Sequence, residues 1–241
     1  MANNRGLVEI AVALEGERVL YAIPHAGAGV AAVKKMCRAL GERWTAVGVR
    51  LPGRESRTAE APVSDLAMLA DTLSAQIAAH AGSRDVYLYG HCAGAVIAYE
   101  VARRLPAAQL RGLAVSAHQS PDRIPVTESW RLPPDEFFAR VREDGYLPDE
   151  LLDDPDLLDL VEPALRADYR AIESHAHEPE PIDAPILALL GTGKHAVPVE
   201  DVVSWAKWTS VGFHLEMLSG GHNLLQDCPA DVAAALDRHQ H

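Results

Sequence analysis

Short apolar runs alternate with helical stretches along most of this 241-residue chain. The predicted strands are nearly continuous in apolar residues, which is typical of strands that are covered on both faces. They span residues 8–13, 18–23, 45–49, 86–89, 110–116, 186–190 and 213–217, the first two on either side of a turn at Glu15-Gly16. Helices are predicted at 30–40, 65–80 with Ser64 as N-cap, 95–105, about 200–207 and 230–238. We therefore expect one α/β domain over residues 1–241, with a mostly parallel central sheet and helices on both faces.

One long segment interrupts the alternation. Between residues 116 and 185 there is no convincing strand, but residues 134–142 and 157–174 place apolar side chains at helical spacing. A helical insertion between two strands predicts a lid, over about residues 123–180, above the carboxyl ends of the strands, where open α/β sheets place their sites. Additional packing without a lid function is the alternative.

Composition excludes several classes of partner. Lysine and arginine number 22 against 34 aspartates and glutamates, so the net charge is −12, which argues against a nucleic-acid binder. No apolar run is long enough to span a bilayer, and no export signal follows Met1, so we expect a cytoplasmic protein without a membrane partner. The three cysteines are too few and too widely spaced for a disulfide framework or a metal site. Of these, Cys37 and Cys228 are predicted to be structural.

The pentad Gly90-His91-Cys92-Ala93-Gly94 is the most informative motif. It follows a predicted strand directly and opens a predicted helix, which is the context of a nucleophile elbow, G-x-S-x-G, with cysteine in the serine position. The reactive atom then lies at a helix N-terminus, where a thiolate is favoured. Cys92 is therefore the predicted nucleophile, and a buried, inert cysteine in a glycine-rich turn is the alternative.

A nucleophile elbow predicts a histidine after the last strand, and His222 stands there in Gly220-Gly221-His222. The order nucleophile first, histidine last is that of α/β-hydrolases. His222 is the predicted general base, against the alternative of an ordinary core or surface histidine. An oxyanion hole needs two backbone N–H groups. We assign them to Ala93 and, in the glycine-rich loop 24–29, to Ala26; the alternative is that these glycines only form a turn.

The chain resembles the type II thioesterases of polyketide and non-ribosomal peptide biosynthesis. The matching segments, in the family order, are Pro24-His25-Ala26-Gly27, Leu51-Pro52-Gly53-Arg54, Gly90–Gly94, Leu165-Arg166-Ala167-Asp168-Tyr169 and Gly221-His222. The resemblance implies an α/β-hydrolase fold with a helical lid. It also implies action on acyl or peptidyl groups held as phosphopantetheine thioesters on a carrier protein, with that carrier as partner and no cofactor of the enzyme's own.

Two departures from the family pattern bear on the chemistry. Serine is usual where this chain has Cys92, and the family's aspartate after the strand at 186–190 has no counterpart in Gly191-Thr192-Gly193-Lys194-His195. The loop after residue 116 offers two candidates for a third catalytic member: Gln119, which would orient His222 as an amide, and its rival Asp122, which would do so as a carboxylate. The sequence leaves this choice open.

A cysteine nucleophile also changes the intermediate. An acyl-cysteine is itself a thioester, so its formation from a carrier thioester is reversible, and it suits transfer to a thiol, amine or carbon better than plain hydrolysis. The leading hypothesis is a thioesterase acting through acyl-Cys92. The alternatives are an acyltransferase shuttle or an off-loading cyclase of Dieckmann, lactam or lactone type, and a non-catalytic binding protein of the same fold.

Docking of an acidic carrier would need a local basic surface on this acidic protein. The candidates are Lys34, Lys35, Arg38, Arg54 and Arg57. A merely solvated helix and loop is the alternative.

Overall fold

A computed structural model describes residues 4–14, 18–145, 153–177, 180–193 and 197–239. Its strands are β1 Leu7–Ala11, β2 Arg18–Ile23, β3 Trp44–Val49, β4 Asp85–His91, β5 Leu110–Ser116, β6 Ile186–Gly191 and β7 Phe213–Leu218. They form one sheet in the order β1-β3-β2-β4-β5-β6-β7. All neighbours are parallel except β1, which runs antiparallel to β3. The mostly parallel sheet expected from the apolar runs is confirmed.

The helices cover both faces of this sheet. Their bounds are α1 Lys34–Ala39, α2 Leu66–Ala81, α3 Ala93–Ala102, α4 Pro134–Asp144, α5 Pro155–Glu173, α6 Val199–Val203, α7 Leu224–Asp227 and α8 Pro229–His239. Side chains of α1 and α8 pack in one core cluster and those of α2 and α3 in another, on opposite faces of the sheet. Strand β4 is buried on both faces, which is why its sequence is a continuous apolar run.

Several predicted boundaries are wrong in instructive ways. The N-cap of α2 is Asp65 rather than Ser64. The Asp65 carboxylate accepts a hydrogen bond from Met68 N at 3.0 Å and so satisfies a backbone N–H of the first turn that has no partner within the helix. The helix predicted at 30–40 is a 3₁₀ turn, Val30–Val33, followed by α1. The helix predicted at about 200–207 likewise divides into α6 and the 3₁₀ segment Ser204–Trp208. The predicted turn at Glu15-Gly16 lies outside the described residues.

The segment between β5 and β6 is helical in its described part, as its periodicity predicts. It contributes α4 and α5, whose apolar faces place Phe137, Val141 and Leu165 in the core cluster beneath them. Within the insertion predicted at about 123–180, residues 146–152 and 178–179 lie outside the described residues. The helices α4 and α5 follow β5, so they stand at the carboxyl edge of the sheet, beside the turn between β4 and α3.

Candidate active site

Cys92 occupies a sharp turn between β4 and α3. Its backbone has φ 52° and ψ −125°, a conformation that costs a residue other than glycine on the order of 1–3 kcal/mol. The glycines on either side, Gly90 and Gly94, have no room for a side chain. A Cβ on Gly90 would lie 2.1 Å from Gly94 O, and one on Gly94 would lie 2.4 Å from Ile23 O. The pentad thus folds as the strand–turn–helix elbow that the sequence predicts.

The Cys92 thiol is buried, with a residue exposure of 7%. Burial raises the pKa of this thiol to about 12, although hydrogen bonds from the backbone N–H groups of Ala93 and Ala26 act in the opposite direction. The expectation that the helix N-terminus would favour a thiolate is therefore wrong for the resting protein, because desolvation outweighs the helix terminus. At neutral pH the resting side chain is a thiol.

The loop of residues 24–29, here called the oxyanion loop, is shaped by one hydrogen bond and one glycine. Ala28 N donates to His25 O at 3.1 Å. Gly27 has a φ of 72°, a left-handed backbone conformation that favours glycine in turns. Gly27 N–H donates to Asp168 Oδ2 at 2.8 Å. The backbone N–H groups of Ala26 and Ala93 act as donors that favour the Cys92 thiolate, and both residues line the same cavity as Cys92. These are the two donors assigned from the sequence.

Asp168 forms a buried ion pair with Arg54 that sequence reasoning did not assign. Arg54 Nη1 and Nη2 donate to the two carboxylate oxygens at 2.7 and 2.9 Å, and the exposures of the two side chains are 6% and 2%. Arg54 and Asp168 each stand in a segment that matches the family pattern, and this was the available signal. Neither segment by itself shows that the two side chains meet.

Two of the five residues predicted to form a basic docking surface, Arg54 and Arg57, are bound within the protein. Arg54 is buried by Asp168, and Arg57 donates to both carboxylate oxygens of Glu60 and to Arg50 O. Neither guanidinium is therefore available to a docking carrier. Lys34, Lys35 and Arg38 are exposed on α1.

A cavity of about 280 Å³ brings most of the predicted site residues together. Cys92, His222, Gln119, Ala26 and Ala93 all line it. Side chains of the lid helices form the opposite wall and include Arg140, Asp144, Tyr169, Ile172 and Glu173. The cavity therefore lies between the elbow and the lid, with apolar and charged groups at its wall.

Asp122 does not line this cavity. Its carboxylate accepts hydrogen bonds from Ser120 Oγ at 2.5 Å, Lys207 Nζ at 2.9 Å and Trp208 Nε1 at 3.1 Å. Although burial opposes ionisation, these donors lower the pKa of Asp122 to about 2. The carboxylate is thus held against the segment that follows α6. Of the two rivals for the third catalytic position, Gln119 is the one that shares the cavity with His222.

Three buried histidines, His25, His91 and His222, lie close together, and the half-buried His118 lines the cavity with Cys92. The ring of His91 lies 6.0 Å from that of His222 and 5.9 Å from that of His25, between ring centroids. Its Nδ1 is 2.7 Å from the Ser116 hydroxyl. Desolvation lowers the pKa of His25 to about 4, that of His118 to about 4, and that of His91 well below its ordinary value. The rings of His25, His118 and His91 are therefore neutral at pH 7.

This cluster predicts acid-sensitive stability. A histidine whose pKa is lowered in the folded state is protonated first in the unfolded state. The free energy of unfolding should therefore fall as the pH drops from about 6.5 to about 4, by about 1.4 kcal/mol per pH unit for each proton. His118→Gln should make this dependence shallower by up to one proton in urea unfolding measured across that range. An equally steep dependence in the variant would contradict the assignment.

Metal-ligand spacing occurs elsewhere in the described part of the chain. One group consists of Glu100, His175 and His177, but Glu100 already accepts hydrogen bonds from two arginines. The other consists of His214, Glu216 and His239. Neither group lines the cavity. Separately, no described helix has the length and apolar character needed to cross a bilayer.

The fold and the site together define an α/β-hydrolase. Its features are the parallel sheet, the elbow that presents Cys92 between a strand and a helix, and a histidine after the last strand. Residues 18–238 match the family model described as a thioesterase domain. The chain therefore belongs to the thioesterase family.

Individual relatives agree with this membership. The thioesterase PikA5 of Streptomyces venezuelae is 32% identical over 212 residues, which cover 86% of this chain and 75% of the relative. The solved type II thioesterase BorB from the borrelidin cluster is 31% identical with a TM-score of 0.86, covering 98% of both chains. The type II thioesterase YbtT from the yersiniabactin pathway has 25% identity and a TM-score of 0.87 over 97% of both. This protein is a type II thioesterase of polyketide and non-ribosomal peptide biosynthesis.

Proposed function

We propose that this enzyme cleaves acyl thioesters of a carrier protein through a covalent acyl-Cys92 intermediate. The observation that carries the proposal is one cavity lined by Cys92, His222, Ala26 and Ala93, in which the backbone N–H groups of the two alanines favour the Cys92 thiolate. Two donors at the nucleophile stabilise the negative charge that develops on a carbonyl oxygen when a thiol attacks it.

The chemical steps follow from these positions. His222 accepts the thiol proton while Cys92 Sγ attacks the thioester carbonyl, and the oxyanion of the tetrahedral intermediate accepts hydrogen bonds from Ala26 and Ala93. Collapse of the intermediate breaks the bond to the phosphopantetheine sulfur, which takes the proton back from His222. The products of this half-reaction are the free carrier thiol and acyl-Cys92.

The high pKa of the thiol determines how it is activated. Because burial raises the pKa of Cys92 to about 12, a preformed thiolate–imidazolium pair is disfavoured in the resting protein. Proton transfer to His222 therefore accompanies the attack on the carbonyl. Gln119, in the same cavity, is the third member that we propose for orienting His222.

The second half-reaction depends on the acceptor. With water as acceptor the enzyme is a hydrolase, as its family implies. Cysteine at the elbow favours a second candidate, in which acyl-Cys92 donates the acyl group to a thiol, amine or carbon, because thioester formation from a thioester is nearly balanced in free energy. A carrier-to-carrier shuttle and an off-loading cyclase both use this step.

The carrier is proposed as the partner and supplies the phosphopantetheine arm, so the enzyme needs no cofactor of its own. Exposed Lys34, Lys35 and Arg38 on α1, which begins five residues after the oxyanion loop, offer a basic surface for an acidic carrier. The cytoplasm, where carrier-bound biosynthesis takes place, is the compartment that we propose.

Intact-protein mass spectrometry tests the covalent step. After incubation with a hexanoyl-loaded acyl carrier protein, the parent should gain the mass of one acyl group, which is lost on treatment with hydroxylamine. Cys92→Ala should gain none, whereas the matched variants Cys37→Ala and Cys228→Ala should behave as the parent. An adduct of equal yield on Cys92→Ala would overturn the proposal, and absence of any adduct or free carrier thiol with the parent would favour a non-catalytic binding protein.

A further inference from the structure

Three contacts connect the oxyanion loop to the lid helix α5 and to Arg54. Gly27 N donates to Asp168 Oδ2 at 2.8 Å. The side chain of Leu165, one turn earlier on α5, closes over Gly27, where a Cβ would lie 3.0 Å from Leu165 Cδ1. Arg54 Nη1 donates to Ala28 O at 3.3 Å. The loop is thus held by the lid on one side and by Arg54 on the other.

The direction of the Gly27 N–H decides which loop amide serves the site. Asp168 accepts the hydrogen bond from Gly27 N–H, which leaves the neighbouring Ala26, at the wall of the cavity that holds Cys92, as the loop donor that favours its thiolate. A rotation of the loop that broke the contact with Asp168 would also move the Ala26 donor. Misplacement of a group by about 1 Å at a reacting centre can cost on the order of 10² in rate.

The Asp168 carboxylate is itself held rigidly. Arg54 binds it through two parallel hydrogen bonds, and Oδ2 accepts from both Arg54 Nη1 and Gly27 N. Such a pair, almost excluded from solvent, is weak evidence for stability, because desolvation of two charges offsets most of their attraction. Its fixed geometry, in contrast, is well suited to orienting the amide that it contacts.

We propose that Asp168, held by Arg54, is a positioning residue for the oxyanion hole, so that docking of α5 against the loop completes the hole. This inference rests on the proposed function, because it assumes that the Ala26 N–H stabilises the oxyanion formed at Cys92. The lid is then part of the catalytic apparatus and not only a cover for the acyl chain. Displacement of α5 removes an orienting acceptor from the loop at the same time as it opens the cavity.

Two double variants separate positioning from stability. Arg54→Met/Asp168→Leu removes both charges together, so no buried charge is left unpaired, and it also removes the acceptor for Gly27 N. Arg54→Gln/Asp168→Asn removes the charges but keeps an oxygen that can accept this hydrogen bond. Release of thiol from hexanoyl-N-acetylcysteamine reports acylation, and alkylation of Cys92 by iodoacetamide at about pH 9 reports a reaction that forms no oxyanion.

With Arg54→Met/Asp168→Leu, we expect kcat for thiol release to fall by about 10–10² at unchanged KM. The alkylation rate should fall by a clearly smaller factor, because the Ala26 N–H is only one of the two backbone donors that favour the thiolate. Arg54→Gln/Asp168→Asn should recover most of the lost kcat. Glu100→Gln, which alters another fully buried carboxylate bound by two arginines, is the matched control and should leave the ratio of the two rates unchanged.

The proposal is wrong if thiol release and alkylation fall by the same factor, if kcat is unaffected, or if the variant that keeps the acceptor recovers nothing. It is also wrong if neither double variant folds, since the pair would then be a structural element. Thiol release by Cys92→Ala at the parental rate would instead overturn the proposed function, whatever the double variants do.

Discussion

Replacing His222 by alanine should lower kcat/KM for acyl-thioester cleavage by about 10²–10⁴, the range associated with a positioned general base. The physical reason is specific to this site. Because burial raises the pKa of Cys92 to about 12, the thiol is almost entirely protonated at pH 7, and attack without a base would require a thiolate present only in traces. His222 is buried, follows β7 and lines the same cavity as Cys92.

Single-turnover acylation by a hexanoyl-loaded carrier measures this effect directly. His118→Gln is the matched control, because His118 is a histidine that lines the same cavity. We expect the control to change the acylation rate by no more than a few-fold. Acylation of His222→Ala at the parental rate would remove His222 from the mechanism, and an equal loss in both variants would indicate a general disturbance of the histidine cluster.

Cys92→Ser should cause the other large loss, on the order of 10³–10⁴ in the native reaction. A serine hydroxyl is activated less readily than a thiol and depends on a well-oriented histidine. In serine triads the loss of the orienting carboxylate costs about 10⁴ in kcat. Here the sequence from Gly191 to Pro198 contains no carboxylate, and Asp122 is bound by Ser120, Lys207 and Trp208.

The form of that loss distinguishes the acceptors. An acyl-serine is an oxyester and a poorer donor to a thiol or carbon than an acyl-cysteine, so the variant should either fail to load or trap the acyl group, with little product. Intact mass and product analysis with the acyl-loaded carrier resolve the two outcomes. If Cys92→Ser turns over as fast as the parent, the thiol has no special role, and a serine-type hydrolytic mechanism with another orienting residue is the better account.

The elbow and the histidine were predictable because their signals are local. Gly90 and Gly94 fix a turn that only glycine allows, and the apolar runs on either side identify a strand and a helix. The position of His222 follows from chain order once the elbow is recognised. The assignment of Ala26 and Ala93 follows from the same logic, and both residues line the cavity with Cys92.

The remaining features depend on contacts between distant parts of the chain. Arg54 and Asp168 are 114 residues apart, so no local pattern reveals that they pair, and the same burial removes Arg54 from the predicted basic surface. The raised pKa of Cys92 could not be predicted from the sequence either. The helix N-terminus is visible in the motif, but the desolvation that outweighs it arises from tertiary packing around the elbow.

The neutral state of the resting thiol has a consequence for the durability of the enzyme. Peroxides and other oxidants react with thiolates far more readily than with thiols, and a sulfinic or sulfonic product is not restored by ordinary reductants. A buried Cys92 whose pKa is raised to about 12 is therefore a poor target for oxidation between turnovers. In the proposed mechanism Cys92 loses its proton only as it attacks an acyl thioester, so the cysteine is protected while the enzyme waits for its substrate.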